Sequence, residues 1–291
     1  MFPPRRLLLR LLPLTLGLAA LRPAAAVEVE QITWLLSARP GGEATEESRM
    51  GDALRDFIEA AWPQPHYIRV PANARRAWQL IEQGERVCQS SSIRTAERER
   101  IAYFADTLLG PPLQLIVRGD MLASLPRTAA GEADLPRLLA EAKLRGALVD
   151  GRSYGRSIDA MLTMPGPALT RYASSDFGSQ IQTMLALGRA DWTIGFDAEL
   201  SQAQRRAPAL RQLRSLPIAG NAEMVRAGIA CPRNAWGLAA IQGIERVLGT
   251  PTGAALLKQQ ALYWLTPETR GRYAAQFDEF YRERAKPAAI R

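Results

Sequence analysis

The stretch "IRTAERERIAYFAD", from Ile93 to Asp106, combines a Thr-x-x-Arg spacing with a Phe-Ala-Asp triplet that begins nine residues after the threonine. Three structures fit such a segment: a charged amphipathic helix, a solvated loop, or a turn that clamps a ligand. A guanidinium meets a carboxylate through two parallel charge-assisted hydrogen bonds, so Arg98 is the residue here that could hold an anionic group. The alternative is that Arg98 is a solvated helix charge paired with Glu99 or Asp106.

Strand and helix patterns alternate on both sides of this stretch. Before it, strands are predicted at 31–36, 66–71 and 85–91, and helices at 46–62 and 74–84. After it, strands are predicted at 146–151, 167–173 and 191–196, and helices at 135–146, 153–162, 179–188 and 236–281. Alternation of this kind predicts an α/β fold with largely parallel sheets.

Two apolar extended runs, 111–120 and 223–232, flank the second block of alternating elements. This arrangement predicts that the second block is inserted into the first, giving two lobes joined by two hinge strands. The expected bounds are 27–112 and 220–291 for lobe 1 and 113–219 for lobe 2. Because ligands of open α/β sheets bind outside the carboxyl ends of the strands, two lobes offer two such edges to one cleft.

The N-terminus has the pattern of a cleavable secretory signal: a basic start, a short apolar run and a small-residue exit that ends at Ala26. The alternative, a membrane anchor, needs about 20 apolar residues, which this run lacks. We therefore expect residues 1–26 to be removed and the mature protein to reside in a periplasm. Four arginines leave with the signal, so the net charge of +8 overstates that of the mature chain: Arg5, Arg6, Arg10 and Arg22.

Cys88 and Cys231 are the only two cysteines of the chain. In an oxidising compartment an even count favours a disulfide over a metal site. Such a bridge would close a long loop and stabilise the fold by about 5 kcal/mol at most. The alternative is two separate buried thiols.

The residue inventory argues against several function classes. His66 is the only histidine, and no Gly-x-Ser-x-Gly elbow accompanies it, so a serine hydrolase is disfavoured. One histidine and no clustered cysteines leave a zinc site without ligands, and no other metal or cofactor is expected. No run of five basic residues occurs, so nucleic-acid binding has little support.

The turn Thr95-Ala96-Glu97-Arg98 and the triplet Phe104-Ala105-Asp106 resemble a signature of the family 3 extracellular solute-binding proteins, the polar amino-acid receptors of ABC transporters. The resemblance implies a type II periplasmic binding protein fold. It also implies that Arg98 clamps a ligand carboxylate, with Thr95 beside it. Ser92 is the candidate serine, but an extra residue in "CQSSSIRT" (88–95) leaves open which serine reaches the ligand. Both cysteines would then fall in the first lobe, as in a cysteine-containing branch of the family.

"LALGRADWTIGFDAE" (185–199) is similar to the family segment in which an aspartate eight residues past the glycine holds the ligand ammonium group. Here Phe196 occupies that position and Asp197 follows it. Since one residue reverses the face of a strand, the orientation of Asp197 toward the cleft is left open.

"LRGALVDGRSYGRSID" (144–159) resembles the strand and helix start that open the second lobe of the family. A helix N-terminus offers free N–H groups to an acceptor, so Arg152, Ser153 and Tyr154 become ligand candidates. The alternative for Ser153 is a simple N-cap. The first loop lacks the aromatic of the family, which leaves Trp34 or Trp192 to supply one, unless both pack in the core.

The resemblance implies a periplasmic protein that captures a small polar, carboxylate-bearing or amino-acid-like ligand and delivers it to an ABC transporter permease or a membrane sensor. Two alternatives share the fold. A dehydratase-like enzyme would need a cleft acid or base, for which Glu97, Glu99 and Asp197 are the candidates. A sensor or interaction subunit would need no small ligand.

Overall fold

The structure of the protein is a computed structural model that describes residues 27–36, 46–141, 143–164, 166, 168–173 and 178–290. The expected signal peptide, residues 1–26, and the first loop, residues 37–45, lie outside these ranges. No helix in the described ranges has both the length and the hydropathy that a bilayer crossing requires.

Five strands form the first sheet: β1 (Gln31–Leu36), β2 (His66–Pro71), β3 (Val87–Ile93), β4 (Ala102–Gly110) and β10 (Val225–Pro232). Their order is β2-β1-β3-β10-β4. β1 runs parallel to β2 and β3, whereas β10 is antiparallel to β3 and β4. Ile32, Trp34 and Leu35 of β1 are all buried, as expected for a strand covered on both faces.

The second sheet contains β5 (Gln114–Arg118), β6 (Gly146–Val149), β7 (Leu169–Tyr172), β8 (Trp192–Gly195) and β9 (Leu213–Pro217). Its order is β7-β6-β8-β5-β9. β6 is parallel to β7 and β8, and β5 is antiparallel to β8 and β9. The short strand β6 is buried throughout.

Helices accompany both sheets. Those of the first sheet are α1 (Glu46–Ala61), α2 (Ala74–Glu82), α7 (Ala235–Leu248), α8 (Pro251–Trp264), α9 (Pro267–Arg272) and α10 (Ala274–Glu283). Those of the second are α3 (Leu135–Ala140), α4 (Arg156–Met161), α5 (Ser179–Ala186) and α6 (Asp197–Arg206). Side-chain caps fix several starts: Asn73, Asn234, Thr250 and Thr266 each accept from a backbone N–H of their first turn.

The chain passes between the two sheets twice. It leaves the first sheet after Gly110, enters the second at Gln114, and returns from Pro217 to Val225. The predicted α/β class with two lobes and discontinuous connections is confirmed. We call the first sheet with its helices lobe 1 and the second lobe 2; the residue bounds 27–112, 113–219 and 220–291 stay a prediction.

Cys88 of β3 and Cys231 of β10 form a disulfide, which confirms the pairing expected from the cysteine count. Their Cα atoms are 4.4 Å apart, and both residues are fully buried. The bond joins neighbouring strands of lobe 1, whose sheet is assembled from both ends of the chain.

Candidate functional site

The two lobes contact each other through the segments that directly follow β3 in lobe 1 and β6 in lobe 2. The segment after β3 begins at Arg94 and includes a 3₁₀ turn at Arg98–Arg100. The backbone N–H of Arg98 donates to Thr95 Oγ1 over 3.2 Å, and the N–H of Glu99 donates to the Thr95 carbonyl. Thr95 therefore acts as the cap that shapes the Thr-x-x-Arg turn.

Arg98 reaches from lobe 1 to lobe 2. Its Nη1 donates to the Ile93 carbonyl over 2.9 Å, and its Nη2 donates to the Gly151 carbonyl over 3.0 Å. The guanidinium carbon lies 4.2 Å from the ring centre of Trp78, on α2. Two carbonyls and one indole face thus hold this cation where the lobes touch.

The guanidinium of Arg98 makes no ion pair with a carboxylate in the part of the chain that the structure describes. Burial lowers its pKa to about 10, against the raising effect of Asp159. The nearby guanidinium of Arg152 contributes to this lowering of the pKa. Arg98 is thus a half-buried cation at the junction of the lobes.

The lobe 2 side of the junction is a polar turn before α4. Arg152 Nη2 pairs with Glu199 Oε1 at 2.9 Å, and its guanidinium carbon lies 5.5 Å from the Tyr154 ring centre. Ser153 Oγ donates to Asp159 Oδ2 over 2.5 Å, and the Tyr154 N–H donates to Asp159 Oδ1. Asp159 therefore organises the turn, and Ser153 serves this loop rather than acting as a side-chain N-cap of α4.

Ser92 lies near the end of β3, where the serine run "SSS" faces two different environments. Its side chain is buried, and its Oγ has no hydrogen-bond partner among the described residues. Ser90 accepts from Arg55 Nη1 over 2.6 Å, whereas Ser91 is exposed. A buried hydroxyl without a partner is costly, so Ser92 is the serine that gains most from a ligand or water contact.

The tryptophans proposed to stack on a ligand lie in the core instead. Trp34 is fully buried and stacks on Tyr67, with ring centres 6.2 Å apart. Trp192 is also buried, and its indole N–H donates to the Leu144 carbonyl. We correct the assignment of Trp34 accordingly, because a strand covered on both faces leaves no ring exposed. The aromatic at the junction is Trp78, which the sequence presents only as part of an amphipathic helix.

Phe196 and Asp197 join α6 to the C-terminal helices. The Phe196 ring packs edge-on against Trp264, with centroids 5.1 Å apart. Asp197 Oδ2 accepts hydrogen bonds from Thr266 Oγ1 at 3.1 Å and Thr269 Oγ1 at 2.6 Å. Phe196, at the position where the resembled family holds a ligand ammonium group, therefore packs against a tryptophan. The neighbouring carboxylate of Asp197 is hydrogen-bonded to two hydroxyls.

The acids considered for catalysis do not converge on one point. Glu97 is exposed, Glu99 pairs with Arg94, and Arg94 also pairs with Asp106 at 3.1 Å. Asp197 is engaged at α9. In the described ranges no group of three or more His, Cys, Asp or Glu side chains is arranged to hold a metal ion.

No protein-family model matches the sequence, and no curated protein matches it in sequence. Solved structures do share its fold. ArgBP from T. maritima gives a TM-score of 0.60 at 15% identity over 80% of this chain and 94% of that chain. The substrate binding protein of an amino acid ABC transporter gives 0.58 at 12%, over 81% and 98%. The periplasmic VFT2 domain of Bordetella pertussis BvgS gives 0.57 at 16%, over 81% and 93%. The chain therefore has the two-lobed α/β fold of type II periplasmic binding proteins.

Proposed function

We propose that the protein is a periplasmic solute-binding protein of the family 3 type, which captures a small polar, carboxylate-bearing ligand between its lobes for ABC-type transport. The observation that carries this proposal is Arg98, a half-buried guanidinium at the junction of the lobes without a carboxylate partner in the described structure. A guanidinium has five N–H donors, and two neutral carbonyls occupy two of them. An anionic group would neutralise the charge and use the remaining donors.

The described residues offer better support for a site that binds a ligand carboxylate than for one that binds an ammonium group. Ser92, six residues before Arg98, has a buried hydroxyl without a partner among the described residues. The polar turn that contains Arg152 and Ser153 supplies further polar groups on the lobe 2 side. By contrast, Asp197 already accepts from two threonine hydroxyls. We therefore favour an organic acid or an amino-acid-like compound over an ordinary α-amino acid held at both ends.

The first prediction concerns Arg98. A thermal-shift screen against amino acids, organic acids and polyamines should yield a hit that stabilises the protein by about 2.7 kcal/mol at 100 times its Kd. Arg98→Ala should weaken that ligand at least about thirtyfold, since losing a buried charge contact costs about 2–5 kcal/mol. Arg98→Lys should also bind poorly, because an ammonium cannot form the two-pronged contact.

Arg100 supplies the matched control, because it is exposed and its only described ion pair is a 3.9 Å contact with Glu97. Arg100→Ala should bind like the wild type. Isothermal titration of the three variants measures the difference. Wild-type affinity in Arg98→Ala would mean that the clamp interpretation is wrong.

A sensor or interaction subunit is the second candidate. Two contacts between the lobes favour it, because they join the lobes through the protein's own groups and need no ligand. Arg98 donates to the Gly151 carbonyl, and Arg75 pairs with Asp150 at 3.2 Å. BvgS VFT2 shares the fold. Crosslinking in the native envelope separates the two candidates, because recovery of a transporter permease supports transport and recovery of a membrane sensor supports signalling. Saturable binding without turnover is expected of the transport receptor, whereas a signalling partner recovered with no small ligand found would favour the interaction subunit.

A further inference from the structure

Asp150 and Gly151 form a turn that projects from the end of β6 toward lobe 1. Gly151 adopts a left-handed backbone conformation, with φ at +74°, which favours glycine. The turn is fixed within lobe 2, because the Asp150 N–H donates to the Tyr172 carbonyl over 2.8 Å. A rigid tip is thereby presented to the first turn of α2.

The tip touches the backbone of α2 directly. A Cβ placed on Gly151 would lie 2.8 Å from the Arg75 nitrogen, 2.9 Å from the Arg75 Cα and 3.2 Å from the Ala74 carbonyl carbon. These atoms belong to a helix backbone and cannot rotate away as a side chain would. Only glycine allows this approach of the two lobes.

Polar contacts reinforce the same approach. The Gly151 carbonyl accepts from Arg98 Nη2 over 3.0 Å, and Asp150 Oδ2 pairs with Arg75 Nη1 at 3.2 Å. Two consecutive residues thus supply a steric fit, a hydrogen bond and an ion pair across the junction.

We propose that Asp150 and Gly151 close lobe 2 onto lobe 1 without a ligand, and that Gly151 is a specificity-determining residue of the proposed site. The second part rests on the proposed function. A ligand carboxylate that pairs with the Nη2 side of the Arg98 guanidinium competes with the Gly151 carbonyl for the two N–H donors there, and its charge gives it an advantage over a neutral acceptor. Closure by the tip also lowers apparent affinity, because only the fraction of molecules with an accessible site binds.

Small-angle X-ray scattering of the ligand-free exported protein tests the closure. The wild type should scatter as the closed structure does, and Gly151→Ala should have a larger radius of gyration. Gly131→Ala is the matched control: Gly131 has a similar φ of +82°, and an added Cβ there meets no atom within 4 Å. It should scatter like the wild type. Circular dichroism confirms that each variant is folded.

A ligand-free wild type that is already extended, or a Gly151→Ala profile equal to that of Gly131→Ala, would overturn the closure.

The competition between closure and ligand binding is tested with Asp150→Asn, which removes the ion pair without changing the volume of the side chain. Its affinity for the panel hit should rise by up to about fivefold, the range for an exposed pair. Unchanged affinity would contradict the competition. A panel without any hit would count against the proposed function, while the scattering would still decide the closure.

Discussion

Glu245 of α7 and Arg284, which follows α10, form an ion pair that is buried on both sides, with exposed fractions of 2% and 4%. Arg284 Nη1 lies 2.8 Å from Glu245 Oε2, which also accepts from the Ala288 N–H over 3.0 Å. Removing one member of a buried pair leaves an uncompensated charge, whereas an apolar pair of similar volume can be neutral. This pair therefore holds the C-terminal segment against α7 and is sensitive to single substitutions.

Glu245→Ala should lower the free energy of unfolding by about 3–5 kcal/mol, because it strands the buried guanidinium of Arg284. The double variant Glu245→Leu, Arg284→Met should be less destabilised than the single one. Chemical denaturation measures both. Lys258→Ala, which breaks an exposed pair with Asp278, is the control and should cost about 1 kcal/mol or less. Equal losses at the buried and exposed pairs would contradict the account.

Among single residues, the sequence predicted the turn that carries Arg98 but not the groups that its guanidinium contacts. The Thr-x-x-Arg spacing indicates a turn after a strand, and the structure has that turn. Trp78 was missed because its place on α2 has the apolar periodicity of any packed helix. The contact with Gly151 joins residues 53 positions apart, so no local pattern contains it.

At the scale of elements, β4 is the main strand that the pattern did not predict. Its residues 102–110 follow a run of charges, so the local sequence indicates a helix or loop as readily as a strand. What makes it a strand is pairing with β10, in which Ala102 lies opposite Pro232 and Gly110 opposite Val225. By contrast, β1 and α1 were predicted closely, because their apolar periodicity is visible within one window.

The disulfide joins β3 and β10, which are distant in the chain, so its removal should lower the stability of the fold. Replacing Cys88 and Cys231 by alanine should lower the free energy of unfolding by about 2–5 kcal/mol. Chemical denaturation with and without reductant gives the value, and reductant should not change the double variant. Thiol labelling of the unreduced, denatured protein should find no free thiol. Two labelled thiols would contradict the bridge.

At the scale of the whole molecule, α6 of lobe 2 contacts the C-terminal helices, where Gln202 Nε2 donates to the Trp264 carbonyl. Of these helices, α7 and α8 pack on the lobe 1 sheet. Phe196 packs on Trp264 and beside Gly110, where an added Cβ would lie 3.1 Å from the Phe196 ring. Asp197 binds Thr266 and Thr269 at the start of α9. The lobes thus share an apolar and polar interface next to the first crossing of the chain, in addition to the Gly151 contact.

This interface should make the two lobes unfold together. β10 lies between β3 and β4 in the first sheet, yet it follows lobe 2 in the chain, so lobe 1 is complete only when the chain has passed through lobe 2. We expect the wild type to show one thermal transition whose calorimetric and van't Hoff enthalpies agree. Phe196→Ala should cost about 3–5 kcal/mol and separate the transition into two, because it removes the ring between the lobes.

Phe277→Ala is the matched control, because this equally buried phenylalanine packs within the C-terminal helices against Tyr273. It should lower the midpoint by a comparable amount but leave a single transition, since it weakens one lobe without uncoupling the two. Differential scanning calorimetry of both variants makes the comparison. A single transition in Phe196→Ala, with enthalpies that still agree, would mean that the Asp197 contacts and the Gly151 tip couple the lobes without the aromatic packing.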